Sequence, residues 1–462
     1  MRSNSSKDTP VDKSAQVDAL FTSWISESSP GAAVLVRRGG SVLHKKGYGL
    51  ADLATGTPIA PDTCFLLASI TKQFTALAVM VLVERGQVAY DDPVTMFLPE
   101  FKTHGSRITV RHLLHHTSGV EDYQDLFIRT GKIAADYPRS ARREGEFEPT
   151  AAETLEAISS RMTRFAPGDQ WEYSNSGYVV LAQLVERVSG KRFSEFLDAN
   201  VFRPLGMSNT LVYDETRPEI RNRARSYATE GRSYKGLDYT PLNAVYGQDN
   251  IYSTLDDLVK WYDALETNRL VSASTMELGF TSGMLSVGAL TGYGFGWFLG
   301  NYLGLATGSH TGSWGGFKHF ALHYPSLRFT ALVLSNFDGL DDVARSALAG
   351  KIAHIYLTEE SKTRAAVQLE PEALGKFEGR YKTYSGEIIA VACDSSSLRV
   401  SPAPLVPIRL IPESDVKFFV EDAQGDTYFF DEDETGNVIG FTRHLSMYGY
   451  TVDADTKARK ID

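Results

Sequence analysis

"FLLASITKQFTALAVMVLV", residues 65–83, is apolar enough for the centre of a core, yet it carries Ser69 and Lys72 at its leading edge. Ile70, Phe74, Leu77, Ala78, Val81 and Leu82 recur at the three-and-four spacing of a helix face, and Gly86 stands where a C-terminal cap belongs. Ala76, Val79, Met80 and Val83 fill the other faces, so the pattern predicts a helix enclosed by protein on nearly all sides. A helix start presents unpaired N–H groups and the positive end of the macrodipole, which favour a developing negative charge on a serine there. Lys72, three residues on, lies on the same face and brings an amine to the Ser69 hydroxyl. Burial disfavours the charged form of that amine and makes it a proton acceptor near neutral pH. SxxK recurs by chance in many helices, so its meaning depends on what accompanies it.

Before this helix, "AAVLVRRGGSVLHKKGYG" (32–49) reads as two strands turning at Gly39 and Gly40. After it, "ITVRHLLHHTSG" (108–119) predicts a short helix capped by Thr109 and ended by Gly119. "RFAPGDQWEYSNSGYVVLAQLVERVSG" (164–190) gives a Pro-Gly turn, a Ser/Asn cap and a helix with Tyr178, Leu181, Ala182, Val185 and Val188 on one face, closed by Gly190. "YGFGWFLG", "FKHFALHYP" and "LRFTALVLSN" read as strands between Tyr293 and Asn336, followed by a helix over 341–357. Strands at both ends of a mostly helical middle predict an α/β unit whose sheet gathers both ends of the segment. The charged stretch 358–376 reads as a linker, and beyond it short β-type runs alternate with turn residues, as in a small antiparallel sandwich or barrel of about 90 residues.

Two further triplets join Ser69 and Lys72. Tyr173, Ser174 and Asn175 form YxN just before a helix, where side chains face a cleft; a lysine ammonium beside the tyrosine favours its phenolate, and Asn175 supplies an amide for Lys72 or a substrate carbonyl. "SHTGSWGGF" (309–317) places His310, Thr311 and Gly312 on an expected edge strand bordering the cleft, with Gly312 letting a substrate backbone approach. The N–H of Ser313, with that of Ser69, is placed to form an oxyanion hole. Gln248 to Asn250 are expected to line the cleft, ahead of a helix capped by Ser253 or Thr254.

Composition narrows the function classes. The 462-residue chain is 42% hydrophobic and 11% aromatic, enough for a substantial core, and its formal charge of −10 argues against a nucleic-acid footprint or a polybasic membrane patch. Arg139, Arg142 and Arg143 are followed at once by acids and read as a solvated loop. Two cysteines, Cys64 and Cys393, make no disulfide framework or zinc spacing. The first residues lack the apolar core of a secretory signal, so a cytoplasmic location is expected, or a periplasmic or secreted one if a leader has been removed. The apolar run from Phe74 to Val83 is too short for a membrane span. His112, His115 and His116 lack the HExxH glutamate of a zinc site; "DEDETGN" (431–437) has Thr442 where a calcium loop needs glutamate and reads as a hairpin turn. No GxSxG elbow and no phosphate cradle is found. No metal and no cofactor is expected.

SxxK, then YxN, then a basic residue followed by Thr-Gly, in that order, resembles the penicillin-recognising serine hydrolases, in particular the class C β-lactamase branch with its β-lactamases, D-Ala-D-Ala carboxypeptidases, D-aminopeptidases, family VIII carboxylesterases and acyltransferases. The resemblance covers about residues 15–360 and extends to the flanking phrases "ITVRHLLHHTSGV" and "FAPGDQWEYSNSGY". It implies an antiparallel sheet flanked by helices with an all-helical subdomain, and an acyl-enzyme mechanism: Ser69 attacks a carbonyl, Lys72 and Tyr173 manage its proton, and Asn175, His310, Thr311, Gly312 and Ser313 bind substrate. The family's β-lactamases usually carry lysine where His310 stands. Histidine is mostly neutral at pH 7, so substrates without a C-terminal carboxylate, amides or esters, become the expected ones, as for D-aminopeptidases. The C-terminal β unit resembles lipocalin-like accessory domains, on its "FEGRYKTYSGE" opening. The expected organisation is a flexible arm (1–15), a hydrolase domain (16–360), a linker (361–374) and a lipocalin-like β domain (375–462), acting on a small molecule or short peptide, with a homo-oligomer left open. Two other uses of the same residues stay open: a β-lactam or peptide sensor with little turnover, and an acyltransferase.

Overall fold

A computed structural model of the chain describes residues 12–22, 25–101, 107–133, 147–214, 216, 218–230, 233–237, 245–302, 304–340, 342–358, 365–383, 388–394, 396–402, 408–420, 423–444 and 457–461. The basic run at Arg139, Arg142 and Arg143 and most of the expected N-terminal arm lie outside these residues.

Six antiparallel strands form the central sheet: β1 (Ala32–Arg38), β2 (Ser41–Tyr48), β3 (Phe298–Tyr302), β4 (Leu305–Trp314), β5 (Phe317–Tyr324) and β6 (Phe329–Ser335), in the order β3-β4-β5-β6-β1-β2. The sheet thus joins both ends of the segment through the β1–β6 pairing, Ala32 opposite Ser335. The β1–β2 hairpin turns at Gly39 (φ 55°) and Gly40 (φ 86°), two successive left-handed residues that such a two-residue turn requires. Side-chain alternation divides β1 between two cores. Ala33 and Leu35 join the cluster that contains Trp261 and Tyr262 of α7 (Leu255–Thr267), whereas Val34 and Val36 join Val17 and Phe21 of α1 (Lys13–Thr22) and Ile352 of α8 (Asp342–Leu357).

The helical part is built on α2 (Thr71–Glu84), whose residues Thr71 to Leu82 are all buried. It packs on α6 (Asn175–Ser189), which Ser174 caps by accepting the Gly177 N–H and Gly190 ends at φ 67°. Around them lie α3 (Val110–Leu114), α4 (Tyr123–Arg129) and α5 (Ala151–Ser159). As expected from the sequence, Thr109 caps α3, but the helix stops at Leu114 instead of running to Gly119. His116, at φ 58°, turns the chain so that its ring reaches the Ser174 N–H, which a continuing helix would prevent.

Three other expectations change. "YGFGWFLG" is a strand only from Phe298; its first half is a loop held against the start of α2. Part of the expected linker, Pro371–Gly375, is a short helix. The expected edge strand carrying His310 is the second strand of the sheet, because β3 pairs with Leu305–Ser309; β3 stops there and does not extend along His310–Trp314.

The C-terminal segment is a closed eight-stranded antiparallel barrel: β7 (Gly379–Thr383), β8 (Ile388–Asp394), β9 (Ser397–Pro402), β10 (Ile408–Pro412), β11 (Lys417–Val420), β12 (Ala423–Glu432), β13 (Val438–His444) and β14 (Lys457–Lys460). The hairpin read at 431–437 is present, with Asp433 accepting the N–H groups of Thr435 and Asn437. β12 lies against β3 and α8, so the barrel covers the edge strand of the central sheet.

Gly296 ties the sheet to the site. Its φ is 79°, and a Cβ there would come within 2.8 Å of the Gln73 N and 2.9 Å of the Lys72 C. Gly296→Ala is therefore expected to lower stability by about 2–5 kcal/mol, the sum of a left-handed non-glycine residue and a backbone overlap. Denaturant unfolding followed by tryptophan fluorescence checks this, since all five tryptophans lie at or before Trp314 and report on the part preceding the barrel.

Candidate active site

The first site residue sits on a strained turn. Phe65–Leu66 pair with Tyr252–Ser253, Ala68 then takes a φ of 49°, and a single 3-10 turn, Ala68–Ile70, carries Ser69 just ahead of α2 rather than within it. Ser69 is partly exposed whereas Lys72 is 0% exposed, so the hydroxyl is reachable and the amine is not. The Lys72 Nζ lies 3.0 Å from Ser69 Oγ, 2.8 Å from Asn175 Oδ1 and 3.1 Å from the Gln248 carbonyl oxygen. Three acceptors match the three N–H bonds of an ammonium; when one proton leaves, two N–H bonds keep Asn175 and Gln248 and a lone pair faces Ser69. Burial lowers the Lys72 pKa to about 8, against the upward pull of Asp249 and Asp122.

The YxN segment is fixed from both sides. Asp122 Oδ2 accepts the Asn175 N–H at 2.6 Å, Ser176 Oγ accepts the Tyr123 N–H at 2.8 Å, and His116 Nδ1 accepts the Ser174 N–H at 3.1 Å. The His116 ring packs at a tilt of 37° with its centroid 4.4 Å from that of Tyr173, and the Lys72 Nζ lies 4.9 Å from the same Tyr173 centroid. The Ser69 hydroxyl favours the ionised form of Tyr173, against the larger effect of burial. The expected phenolate is corrected: burial, with Asp249 and Asp122 adding to it, raises the Tyr173 pKa well above its usual value, so the group is a phenol at neutral pH.

The third motif is positioned differently from the expectation. His310 is 1% exposed, and both ring nitrogens are used within the protein: Nδ1 lies 2.7 Å from the Thr311 carbonyl oxygen and Nε2 lies 2.9 Å from the Tyr293 hydroxyl. A carbonyl only accepts, so Nδ1 carries the hydrogen and Nε2 accepts from Tyr293. Burial, with Lys72 nearby, pushes the His310 pKa down to about 3. The ring is neutral and is not presented to solvent, whereas Thr311 and Ser313 are. Gly312 is required by the protein's own backbone: a Cβ there would meet the Leu67 carbonyl oxygen at 2.5 Å.

Several contributors were not singled out from the sequence. His319 bridges the sheet to the Ser69 turn, donating from Nε2 to the Leu66 carbonyl at 2.7 Å and accepting the Ser335 N–H at 3.1 Å. Arg345 of α8 donates to the Gly312 carbonyl at 2.8 Å. The expected cleft segment Gln248–Asn250 does reach the site, through the Gln248 carbonyl and through Asp249, whose Oδ1 lies 3.4 Å from Ser69 Oγ. Thr254, not Ser253, caps α7. The three histidines of the discarded zinc reading each bond the backbone: His112 accepts from Thr109, His115 donates to the Tyr293 carbonyl and His116 accepts from Ser174. No helix among the described residues is long and apolar enough to cross a membrane.

The chain is 29% identical over 427 residues to penicillin-binding protein 4* of Bacillus subtilis (strain 168), covering 88% of this chain and 92% of that protein. It is 32% identical over 360 residues to esterase EstB of Burkholderia gladioli, covering 70% of this chain and 90% of that one. The solved structure of the octameric penicillin-binding protein homologue from Pyrococcus abyssi superposes with a TM-score of 0.63 at 24% identity, covering 97% of this chain and 99% of that chain, and so shares the fold. Residues 17–354 match the family model described as Beta-lactamase, and with that span and these relatives the chain belongs to the Beta-lactamase family of serine hydrolases.

Proposed function

We propose that this enzyme forms an acyl-enzyme on Ser69 and hydrolyses amide or ester bonds in substrates that carry no free carboxylate next to the scissile group. The observation that carries the reading is the Lys72 amine, sealed from water and 3.0 Å from a partly exposed serine hydroxyl. With Lys72 neutral, Ser69 Oγ attacks the substrate carbonyl carbon and its proton passes to Nζ. The tetrahedral oxyanion is assigned to the backbone N–H groups of Ser69 and Ser313. Tyr173 gives its phenol proton to the leaving nitrogen or oxygen, and the resulting phenolate is stabilised by the new ammonium beside its ring. Water then enters, the phenolate takes one of its protons, the hydroxide attacks the acyl carbon, and Lys72 returns its proton to Ser69 Oγ as that oxygen leaves. Every group ends as it began.

Electrostatics supports the substrate class. His310 is neutral and turned inward, Arg345 is bonded to the Gly312 carbonyl, and Lys72 is surrounded by its acceptors. The third motif thus offers no cation to a substrate carboxylate, and Asp249 and Asp122 add negative charge near the nucleophile. The esterase among the relatives accords with an acyl group leaving from oxygen. In this reading residues 16–360 are the hydrolase domain and residues 375–462 an accessory one.

Ser69→Ala is expected to abolish covalent labelling by an activated ester, seen as loss of the mass increment on the intact protein. Tyr173→Phe is expected to lower kcat by roughly 10²–10⁴-fold on an anilide, whose leaving group needs a proton. A labelled but non-turning enzyme would instead favour the sensor reading.

An acyl-D-alanyl-D-alanine and its C-terminal amide provide the second test. The amide is expected to be preferred in kcat/KM by about tenfold or more, the factor that ~1.4 kcal/mol of unfavourable charge interaction carries. Preference for the acid would remove the argument from His310.

The pH dependence follows from the lysine. Because the amine acts only when deprotonated, and burial holds its pKa at about 8, kcat/KM is expected to rise with pH and level off above that value. A flat profile between pH 6 and 9 would exclude Lys72 as the proton acceptor.

A further inference from the structure

One group at the site has no part in the scheme above, although it resides beside the reacting oxygen. Asp249 is 2% exposed, and burying a carboxylate is costly unless its charge is answered. The backbone on either side of it is pinned: the Gln248 carbonyl oxygen accepts from Lys72 at 3.1 Å and the Ile251 N–H donates to Thr71 Oγ1 at 3.2 Å. Asn250, at φ 75°, adds a bond from its own side chain to the Val245 carbonyl at 3.0 Å. Gly247 admits no side chain, since a Cβ would meet the Tyr178 carbonyl oxygen at 2.6 Å. A segment held this tightly directs Asp249 Oδ1 to within 3.4 Å of Ser69 Oγ, in line to accept the hydroxyl hydrogen while Lys72 donates to the same oxygen.

We infer that Asp249 is a positioning residue that acts as the counter-ion of Lys72, holding the serine–lysine pair in its protonated resting form and thereby setting the pH at which Ser69 becomes nucleophilic. The inference rests on the acyl-enzyme reading above.

The surrounding groups leave this task to Asp249. Asp122, the other carboxylate acting on the amine, exerts a smaller upward pull than Asp249 and accepts the N–H groups of Asn175 and Gln124. His116 and His310, which face Lys72 from the loop after α3 and from β4, are neutral because burial drives their pKa values down. Tyr123, Tyr173 and Tyr178 are phenols, pushed up by burial. Lys72 is the positive charge acting on Asp249, whose own pKa burial raises to about 6. Each charge favours the other: the ammonium holds the carboxylate ionised against its burial, and the carboxylate holds the amine protonated. The sign follows: an anion stabilises the ammonium, so removing it lowers the lysine pKa and releases the free amine at lower pH.

The test is the pH profile of acylation, measured from the pre-steady-state burst with p-nitrophenyl butyrate, whose leaving group needs no proton. Asp249→Asn is expected to move the rising limb to lower pH by about one unit, and so to acylate roughly tenfold faster than the parent at pH 6. Asp249→Glu, which keeps the charge, is expected to return the limb toward the parental position. Should Asp249→Asn fail to fold, Asp249→Ser, which leaves room for water, carries the same expectation. An unmoved midpoint with reduced amplitude would make Asp249 structural, and loss of the burst at every pH would make it the proton acceptor itself; either outcome overturns the inference. Ser69→Ala run alongside separates the two levels, because a surviving burst in that variant removes the acyl-enzyme reading whatever Asp249 does.

Discussion

An ammonium taken out of water must find an acceptor for each of its three hydrogens, and in this protein the acceptors of Lys72 come from three distant parts of the chain. Ser69 precedes the amine on its own turn, Asn175 opens α6, and the Gln248 carbonyl belongs to the segment leading into α7. Leaving one buried donor unmet costs about 1–3 kcal/mol, and more for a charged group. The helical part therefore has little freedom to rearrange around α2, and the same requirement that stabilises the fold fixes the amine beside the hydroxyl. Structure and chemistry draw on one set of bonds.

The sheet contributes by approaching the Ser69 turn closely. Gly312 of β4 admits the Leu67 carbonyl, His319 of β5 donates to that of Leu66, and Gly296 lies against the backbone of Gln73. Each contact is to main chain, so each places the turn without competing for the Ser69 and Lys72 side chains. His310 belongs to this supporting set. Its two nitrogens join Tyr293 to the Thr311 carbonyl, which shapes β4 beside the Ser69 turn but gives away the positive charge that a lysine would have carried there.

What was legible in the sequence was local. SxxK is a statement about one helical turn, YxN about a cap, and Gly39–Gly40 about a hairpin, and these features hold because spacing along the chain decides them. The properties that escaped depend on what distant residues do. A tyrosine beside a lysine reads as a phenolate until its burial is known, with two carboxylates, Asp249 and Asp122, adding to the same effect. A histidine in a cleft motif reads as a substrate ligand until Tyr293, seventeen positions earlier, is found donating to it. Asp249 was within a segment expected to line the cleft, but nothing in "YGQDN" distinguishes a buried carboxylate aimed at a serine from a loop residue in solvent. The closing strand Lys457–Lys460 is short and polar, with only Ala458 buried, and carries no alternation long enough to register.

The barrel shows how the same locality limits a resemblance. Eight antiparallel strands in chain succession, closed by Tyr381 opposite Lys460, match what a lipocalin-like opening implied. Its interior, however, is occupied by aromatic side chains. Phe377, from the chain preceding the first strand, packs 4.7 Å from Phe430 and 5.0 Å from Phe418, and Tyr381 packs 5.0 Å from Phe441. These rings continue the core that includes Val34, Phe320 and Ile352 of the sheet and α8. A barrel filled by its own side chains gains its stability from packing and shares that packing with its neighbour. Set against the edge strand β3, it buries backbone that an open sheet would expose to other chains, and it braces β3 and α8, the strand paired with β4 and the helix whose Arg345 holds the Gly312 carbonyl.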